Sequence, residues 1–284
     1  MPRTKNSSNS LNINCSLIKK ANKSDIKIKK DFQDLINKLK DRNFQDKHIS
    51  ISVVIPVYNE EKTIKKVLNE IPKDPSIEII VVDDCSTDNS LLEIKKVQNE
   101  KKNIRIICNK KNKGYGGALL TGIQRARGKI LITMDADGQH RASDIYSLIE
   151  PIINKEADIT IGSRYLGSYH YTLPFSTRLG EAFLEVIIKL IFGQKVKNNQ
   201  GGFRAFHRRT FNIFKNIKFK GYAFTTELIL VASLNGYRIK ECPIKLLDRK
   251  YGTSYIKLYK LLSSILFCII LYFLKKIKRI LFKK

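Results

Sequence analysis

The chain has 284 residues, and 53 Lys and Arg residues against 26 Asp and Glu residues give it a net charge of +27. Hydrophobic residues make up 43% of the sequence, which excludes an intrinsically disordered chain and is enough for a sizeable core. The positive charge is densest in residues 245–284, where eleven basic side chains accompany one acidic side chain. We therefore expect a contact with an anionic partner, most simply lipid head groups.

The cysteines and the first 48 residues bear on the cellular compartment. Five cysteines form no CxxC pair, so neither a disulfide framework nor a cysteine-ligated zinc site is expected. Residues 1–48 are polar and rich in Lys and Asn, without the apolar stretch of a signal peptide. We predict a mobile basic leader that contains one short helix at 31–42, and reduced thiols, as is typical of the cytosolic side.

Short β-branched runs alternate with helical patterns between residues 49 and 162. Near-continuous apolar runs of this kind are typical of a mostly parallel sheet covered by helices on both faces. The predicted strands are 51–57, 77–82, 104–108, 130–134 and 158–162, and the predicted helices are 60–70, 89–99, 116–126 and 143–154. Because ligands of such sheets bind at the carboxyl ends of the strands, we expect the functional loops at 58–60, 83–84, 135–137 and 163–164.

The second half of the chain has four further helical runs. Residues 175–192 and 223–234 form two apolar patterns, and 261–274 is apolar on every side. At fourteen residues, 261–274 is shorter than the roughly 20 needed to span a bilayer. Residues 275–284 are basic with one apolar face, as in a helix that lies on a membrane surface. We therefore predict that 257–284 is a membrane-associated tail that anchors the protein without crossing the bilayer, on the cytosolic face. The run 261–274 would be partly buried either in the lipid leaflet or against residues 183–192.

A D-x-D pair is the sharpest chemical feature of the sequence. Asp135 and Asp137 follow a predicted buried strand, and alternate residues of an extended chain point to the same side. Gln139 continues this alternation as a neutral oxygen ligand, so the three side chains suit Mg²⁺ or Mn²⁺. The alternative interpretation is an Asp-rich turn that caps the following helix.

Other candidate groups would hold a nucleotide and its phosphates. Asp83 and Asp84 end the second predicted strand, where acidic side chains accept hydrogen bonds from a ribose or a base, although helix capping explains them equally. The first turn, PVYNEE, lacks the glycines of a phosphate-binding loop, so a metal and arginines are expected to hold the anion. Arg164, Arg204 and Arg249 are candidate phosphate forks, and each has a structural salt bridge as its alternative.

Several motifs occur together in a fixed order. They are PVYNE at 56–60, VDDCSTD at 82–88, NKGYGGALLTGIQRARG at 112–128, DADGQH at 135–140, GSR at 162–164, GGFR at 201–204 and DRKYGTS at 248–254. Over about residues 49–256 the chain resembles inverting glycosyltransferase family 2, and most of all its dolichol-phosphate mannosyltransferase-like branch of polyprenyl-phosphate glycosyltransferases. Two positions depart from that branch: Tyr255 stands where a lysine is usual, and Arg141 where a proline is usual.

The resemblance implies a type A glycosyltransferase fold, which is Rossmann-like, with residues 49–256 as the catalytic domain. It implies a nucleotide-sugar donor, of the GDP-mannose or UDP-glucose type, and a polyprenyl phosphate acceptor at a membrane surface. The metal would bind Asp135, Asp137 and Gln139, and the catalytic residues would be Asp137, Arg164 and Arg249. The implied nucleotide-sugar site comprises Pro56, Tyr58, Glu60, Val82, Asp83, Asp84, Asp135, Ala136, Asp137, Arg164, Glu227 and Arg249.

The acceptor determines the expected mechanism. A phosphate monoester is already ionised at neutral pH, so it attacks the sugar directly, whereas a hydroxyl acceptor needs a general base. Beyond Glu227, which the family places near the sugar, the sequence offers no convincing carboxylate for that task. The alternatives are a family 2 transferase that acts on a saccharide or protein hydroxyl, and a non-enzymatic basic protein that binds membranes. A nucleic-acid partner is not expected, because it would leave the ordered carboxylates unexplained.

Overall fold

The computed structural model describes residues 30, 34, 37, 50–169, 175–221, 223–248 and 258–282. Within them, seven strands form one sheet in the order β3-β2-β1-β4-β6-β5-β7. Their bounds are β1 Ile51–Val57, β2 Ile77–Asp83, β3 Ile104–Cys108, β4 Ile130–Thr133, β5 Ile159–Tyr169, β6 Arg204–His207 and β7 Ile239–Leu246. Adjacent strands pair in parallel except β6, which runs antiparallel to both β4 and β5. The predicted α/β fold with a mostly parallel sheet is therefore confirmed.

Helices connect the strands and cover the sheet. They are α1 Ile64–Glu70, α2 Ser90–Glu100, α3 Gly114–Ile123, α4 Ile145–Ile153, α5 Phe175–Phe192, α6 Phe224–Leu234 and α7 Leu258–Leu281, with 3₁₀ helices at Ala142–Asp144 and Arg208–Asn216. The first five predicted strands and the predicted helices from 60–70 to 223–234 all correspond to observed elements. Strands β6 and β7 lie outside the sequence-based prediction.

Two apolar layers lie on the two faces of the sheet. One layer packs α1, α2 and α4 against side chains such as Val53 and Ile79, and the other packs α3 and α6 against Val54 and Ile80. Neighbouring residues of one strand thus enter opposite layers, as the pleat of a strand requires. Every residue of β2 is buried, which explains why its sequence is nearly continuous in apolar side chains.

The C-terminal segment packs against residues 183–192, which is one of the two placements predicted for it. The apolar run 261–274 and most of the basic tail form one continuous helix, α7. One side of α7 is buried through Ile265, Cys268, Ile269 and Tyr272, which pack with α5 and α6 in a third apolar cluster. No helix in the described parts of the chain is both long and apolar enough to cross a membrane. The structure therefore gives no support to a membrane-anchoring helix, and the inner side of this segment is a packed part of the fold.

Residues 31–42, the predicted leader helix, lie outside the described residues, apart from Asp34 and Asn37, which are helical.

Candidate active site

The loops that follow β1 and β2 are locked together at the carboxyl edge of the sheet. The Asn59 side chain accepts a hydrogen bond from the Thr87 backbone N–H at 2.8 Å, and the Glu60 N–H donates to Ser90 Oγ at 2.7 Å. Asn59 and Cys85 adopt positive φ values of 56° and 68°. Left-handed backbone is uncommon for non-glycine residues, and least costly for Asn and Asp. The two turns are therefore held in one specific shape, as expected of a preformed binding edge.

Asp83 and Asp84 sit side by side at the end of β2 but have different environments. Both Asp84 oxygens accept the Lys113 N–H at 3.0 Å, and one also accepts the Asn109 amide at 2.7 Å. Asp84 therefore binds the chain just before α3, as a capping group does. Asp83 is also buried, and its carboxylate lies 3.4 Å from the Ser86 N–H. Of the pair, Asp83 has the smaller number of short contacts within the protein.

Asp135 follows β4 and has a hydrogen-bond partner at each carboxylate oxygen. The Tyr115 hydroxyl donates to Oδ1 at 2.8 Å, and His140 Nε2 lies 3.2 Å from Oδ2. Burial, together with the negative charge of Asp135, raises the pKa of Tyr115 well above its usual value, so this phenol stays protonated and donates. The His140 ring packs on Phe203 with ring centroids 4.8 Å apart. These contacts fix the orientation of the Asp135 carboxylate.

The chain returns to the same edge just before β6, because β6 runs against its neighbours. Gly202 lies so close to Asp135 that a Cβ there would be 2.1 Å from Tyr115 Oη and 2.7 Å from Asp135 Oδ1. The Gly202 carbonyl accepts a hydrogen bond from Thr133 Oγ1 at 2.6 Å. Gly202 is the second glycine of the GGFR motif. Its close approach to Tyr115 and Asp135 explains why a residue without a side chain stands there.

Arg204 is fully buried and braces this segment. Its guanidinium donates to the carbonyls of Asn199, Gly201 and Thr225, each at 2.8 Å. Burial lowers the pKa of Arg204 to about 10, so the group remains charged at neutral pH. Neither the phosphate role nor the salt-bridge alternative considered for Arg204 describes this arrangement, in which backbone carbonyls hold the charge.

Asp137 lies two residues beyond Asp135 at the same edge. Its Oδ1 accepts the Gln139 N–H at 3.0 Å, and the Gln139 side-chain amide donates to the Leu247 carbonyl at 3.0 Å. Asp137 also lines a shallow depression together with Lys62 and Lys66 of the α1 region. Among the described residues, no group of three or more His, Cys, Asp or Glu side chains is placed to hold a metal ion. Binding of a metal ion by Asp135, Asp137 and Gln139 stays a prediction.

Of the other two arginines predicted to bind phosphate, the structure describes Arg164 but not Arg249. Arg164, in β5, contacts both carboxylate oxygens of Glu181 at 2.7 and 2.8 Å, and the Tyr165 hydroxyl also donates to Glu181. The salt bridge considered as the alternative for Arg164 is therefore present. The predicted loop at 163–164 is wrong, because β5 continues through these residues to Tyr169. Arg249 lies outside the described residues, as does Tyr255.

Glu227, predicted near the sugar, is completely buried in the first turn of α6. Its carboxylate accepts the backbone N–H groups of Lys218 and Phe219 at 2.8–3.1 Å and the Tyr272 hydroxyl at 2.5 Å. The sequence did not suggest this arrangement, because Tyr272 is 45 residues away.

The remaining predicted donor-site residues lie in β1, β2 and the turns that follow β1 and β4. Val82 and Ala136 are buried, and Pro56 is half-buried. Tyr58 is 49% exposed, so its ring is available at the surface of the edge. The Glu60 carboxylate accepts a hydrogen bond from Thr63 Oγ1 at 2.8 Å. The structure therefore brings the predicted residues of β1, β2 and β4 to one edge.

Comparison with known proteins decides the family. A model described as "Glycosyl transferase family 2" matches residues 52–214, which is more than half of the chain. The chain belongs to glycosyl transferase family 2. Its curated relatives include a UDP-N-acetylglucosamine–dolichyl-phosphate N-acetylglucosaminyltransferase of Methanococcus voltae, 34% identical over 72% of this chain and 88% of the relative. They also include a dolichyl-phosphate β-glucosyltransferase of Saccharomyces cerevisiae, 31% identical over 70% of this chain and 67% of the relative.

Solved structures agree on the fold of this family 2 chain. Glucosyl-3-phosphoglycerate synthase from Mycobacterium tuberculosis superposes with a TM-score of 0.61 and 18% sequence identity, covering 78% of this chain and 79% of that one. Crystals of that enzyme contain uridine diphosphate with Mn²⁺ or with Mg²⁺. The family and the polyprenyl-phosphate branch indicated by the motifs are both confirmed, and the chain is a nucleotide-sugar-dependent glycosyltransferase.

Proposed function

We propose that this glycosyltransferase moves a sugar from a nucleotide-sugar to a polyprenyl or dolichyl phosphate by a metal-assisted, inverting displacement. The observation that carries the proposal is the family 2 match combined with dolichyl-phosphate transferases among the relatives. The donor is of the GDP-mannose or UDP-glucose type, which includes UDP-N-acetylglucosamine. The catalytic domain is residues 49–256, with residues 1–48 as a leader and 257–284 as a tail.

The donor site is assigned to the edge formed by β1, β2 and β4. Tyr58 and Asp83 would contact the nucleoside, because both lie beside the locked turns that end β1 and β2. Asp135, Asp137 and Gln139 would hold Mg²⁺ or Mn²⁺, whose coordination sphere prefers oxygen and leaves positions for a diphosphate. Such an ion supplies charge neutralisation for the departing nucleoside diphosphate.

We assign the acceptor by asking which acceptor group can react without a general base. Glu227, the carboxylate considered as a general base, is fully buried and accepts hydrogen bonds from three groups of the protein. An acceptor that needs no base fits this arrangement, and a phosphate monoester with a second pKa of about 6 meets that condition. Arg164 would bind one of the phosphates in place of its present contact with Glu181. Arg249 keeps its proposed phosphate role.

The outer sides of α5 and α7 are proposed to face a membrane surface on the cytosolic side. Both helices expose apolar side chains at spacings that place them on one side of each helix. These are Leu179, Phe183, Val186 and Leu190 of α5, and Leu262, Leu266, Ile270, Phe273 and Leu274 of α7. Basic residues continue α7 beyond this surface, so apolar contact and attraction to anionic lipids act together. A lipid-linked acceptor would be presented at such a surface.

The reaction is tested with the purified full-length chain, Mn²⁺ and each of GDP-mannose, UDP-glucose and UDP-N-acetylglucosamine. A short polyprenyl phosphate is the acceptor, and the corresponding polyprenol without phosphate is its matched control. We expect one donor to yield a glycosyl phospholipid with inverted anomeric configuration, detected by mass spectrometry and NMR. Transfer to the polyprenol, or only to an added saccharide, would support the hydroxyl-acceptor alternative.

The membrane surface is tested by flotation with vesicles of neutral or anionic lipids. Leu266→Ser with Leu274→Ser should reduce recovery with anionic vesicles at least fivefold. The matched control is Leu92→Ser, because Leu92 is similarly exposed but lies on α2. Equal flotation of the wild-type chain and the α7 variant would exclude this surface as the lipid contact. Truncation before α7 is not a suitable test, since it would remove the buried side of that helix from the core.

A further inference from the structure

A buried carboxylate outside the donor edge links the C-terminal helix to the interior of the catalytic domain. Burying an ionised carboxylate is costly unless hydrogen-bond donors replace water. Glu227 receives three such donors, namely the Lys218 and Phe219 backbone N–H groups and the Tyr272 hydroxyl. We name residues 217–221 the bridging loop. Glu227 of α6 binds the backbone of this loop, and the same carboxylate accepts a hydrogen bond from Tyr272 of α7.

A second contact with α7 acts on the same loop. The Phe219 ring packs edge-on against Phe267, with ring centroids 6.0 Å apart. Phe267 is 61% exposed, so this contact lies at the surface, whereas the Tyr272–Glu227 contact is buried. The bridging loop is therefore linked to α7 directly through Phe267 and indirectly, through Glu227, to Tyr272.

The other side of the bridging loop contacts the segment that holds Asp135. The Lys220 carbonyl accepts the Gly116 N–H at 2.9 Å, in the first turn of α3. A Cβ at Gly116 would lie 2.8 Å from that carbonyl and 2.6 Å from the Phe224 ring, so the approach is close. The neighbouring Tyr115 packs edge-on against Phe224 and donates its hydroxyl to Asp135.

We propose that Glu227 and Tyr272 are positioning residues for glycosyl transfer, which act through the bridging loop on Tyr115 and thereby on Asp135. The path runs from Tyr272 to Glu227, through the backbone of 218–220 to Gly116, and through the Tyr115 hydroxyl to the carboxylate. The inference rests on the donor-site role proposed for Asp135. It makes α7 part of the catalytic framework in addition to any contact with lipid, so a change inside α7 alters turnover even with a water-soluble acceptor.

The path is tested by hydrogen–deuterium exchange on the full-length chain with the Tyr272→Phe variant, which removes one hydroxyl and keeps the ring. The matched control is Tyr237→Phe, whose hydroxyl bonds Arg209 and Asn212 away from the bridging loop. We expect amides of 217–221 and 114–117 to exchange about tenfold faster in Tyr272→Phe only, as for the loss of one hydrogen bond to a charged group. Exchange in β2 should be unchanged.

Kinetics complete the test. We expect kcat/KM for Tyr272→Phe to fall about tenfold, and its melting temperature to lie a few degrees below that of the control variant because a buried carboxylate loses one donor. The Phe267→Leu variant, which changes an exposed side chain, should perturb the same two segments to a smaller degree. Faster exchange confined to α7, or normal kinetics with faster exchange at 114–117, would overturn the inference. Because exchange is measured without substrates, this result is independent of which acceptor the enzyme uses.

Discussion

The close approach of Gly202 to Asp135 makes Gly202→Ala a sharp test of the site. The new Cβ would lie 2.1 Å from Tyr115 Oη, and carbon atoms of this kind are essentially never closer than 3.0 Å to a neighbour. Either the hydroxyl or the 201–203 segment must therefore move by roughly 0.9 Å, and a misplacement of about 1 Å at a reacting centre can reduce rates a hundredfold. We expect kcat to fall by about a hundredfold, or about 2.7 kcal/mol in activation free energy.

The fold should survive this change even though turnover falls. Overpacking of a core position costs about 1–3 kcal/mol, so the Gly202→Ala protein should fold and its circular dichroism spectrum should match that of the wild type. Gly180→Ala is the control, because a Cβ at Gly180 meets its nearest neighbour at an ordinary 3.9 Å.

The double variant with Tyr115→Phe provides a second check. It should be no less active than Gly202→Ala alone, because both changes break the same contact with Asp135. Retention of more than half of the wild-type kcat by Gly202→Ala would refute the role assigned to this contact.

Three further predictions follow from the same edge. Asp137→Asn should reduce steady-state transfer more than tenfold at saturating Mn²⁺ while the melting temperature stays near that of the wild type; a smaller loss would remove Asp137 from the principal ligands. Arg204→Lys should lower the free energy of unfolding by roughly 3 kcal/mol in urea denaturation, because buried carbonyls lose donors; an unchanged midpoint would contradict the bracing role. The third prediction concerns two exposed cysteines, whose alkylation is followed by peptide mass spectrometry. Partial burial, with the nearby charge of Asp83, raises the pKa of Cys108, so the rate of its alkylation should keep increasing above pH 8.5. Bound nucleotide should slow the alkylation of Cys85.

Much of the fold was predictable because its strands are short, apolar and β-branched. The predicted strand 51–57 and helix 175–192 match β1 and α5 at both ends. Strand β6 escaped prediction because its four residues, RAFH, contain no β-branched side chain and no alternation. Strand β7 alternates less clearly and contains a proline, Pro243, which argues against a strand interior. Both segments become strands because they pair with other strands of the sheet: β6 with β4 and β5, and β7 with β5.

The candidate site was predictable in its carboxylates but not in their partners. Asp135 and Asp137 follow a strand within four residues, so local sequence locates them. The Tyr115 contact spans 20 residues and the Glu227–Tyr272 contact spans 45, and neither separation leaves a local pattern. The sequence left two placements open for the C-terminal segment for a physical reason. An apolar helix offers no sequence signal that distinguishes the side facing its own protein from the side facing outward.

The reversed direction of β6 has a consequence for how such an enzyme can diversify. Strand β5 ends at the active edge and β6 begins there, so the excursion that contains α5 leaves and re-enters the sheet at the same edge. An excursion attached in this way can be lengthened, shortened or replaced without altering the order or register of β1, β2 and β4. Evolution can therefore exchange the part of the molecule that we propose to lie near the acceptor while the strands of the proposed donor site are inherited unchanged.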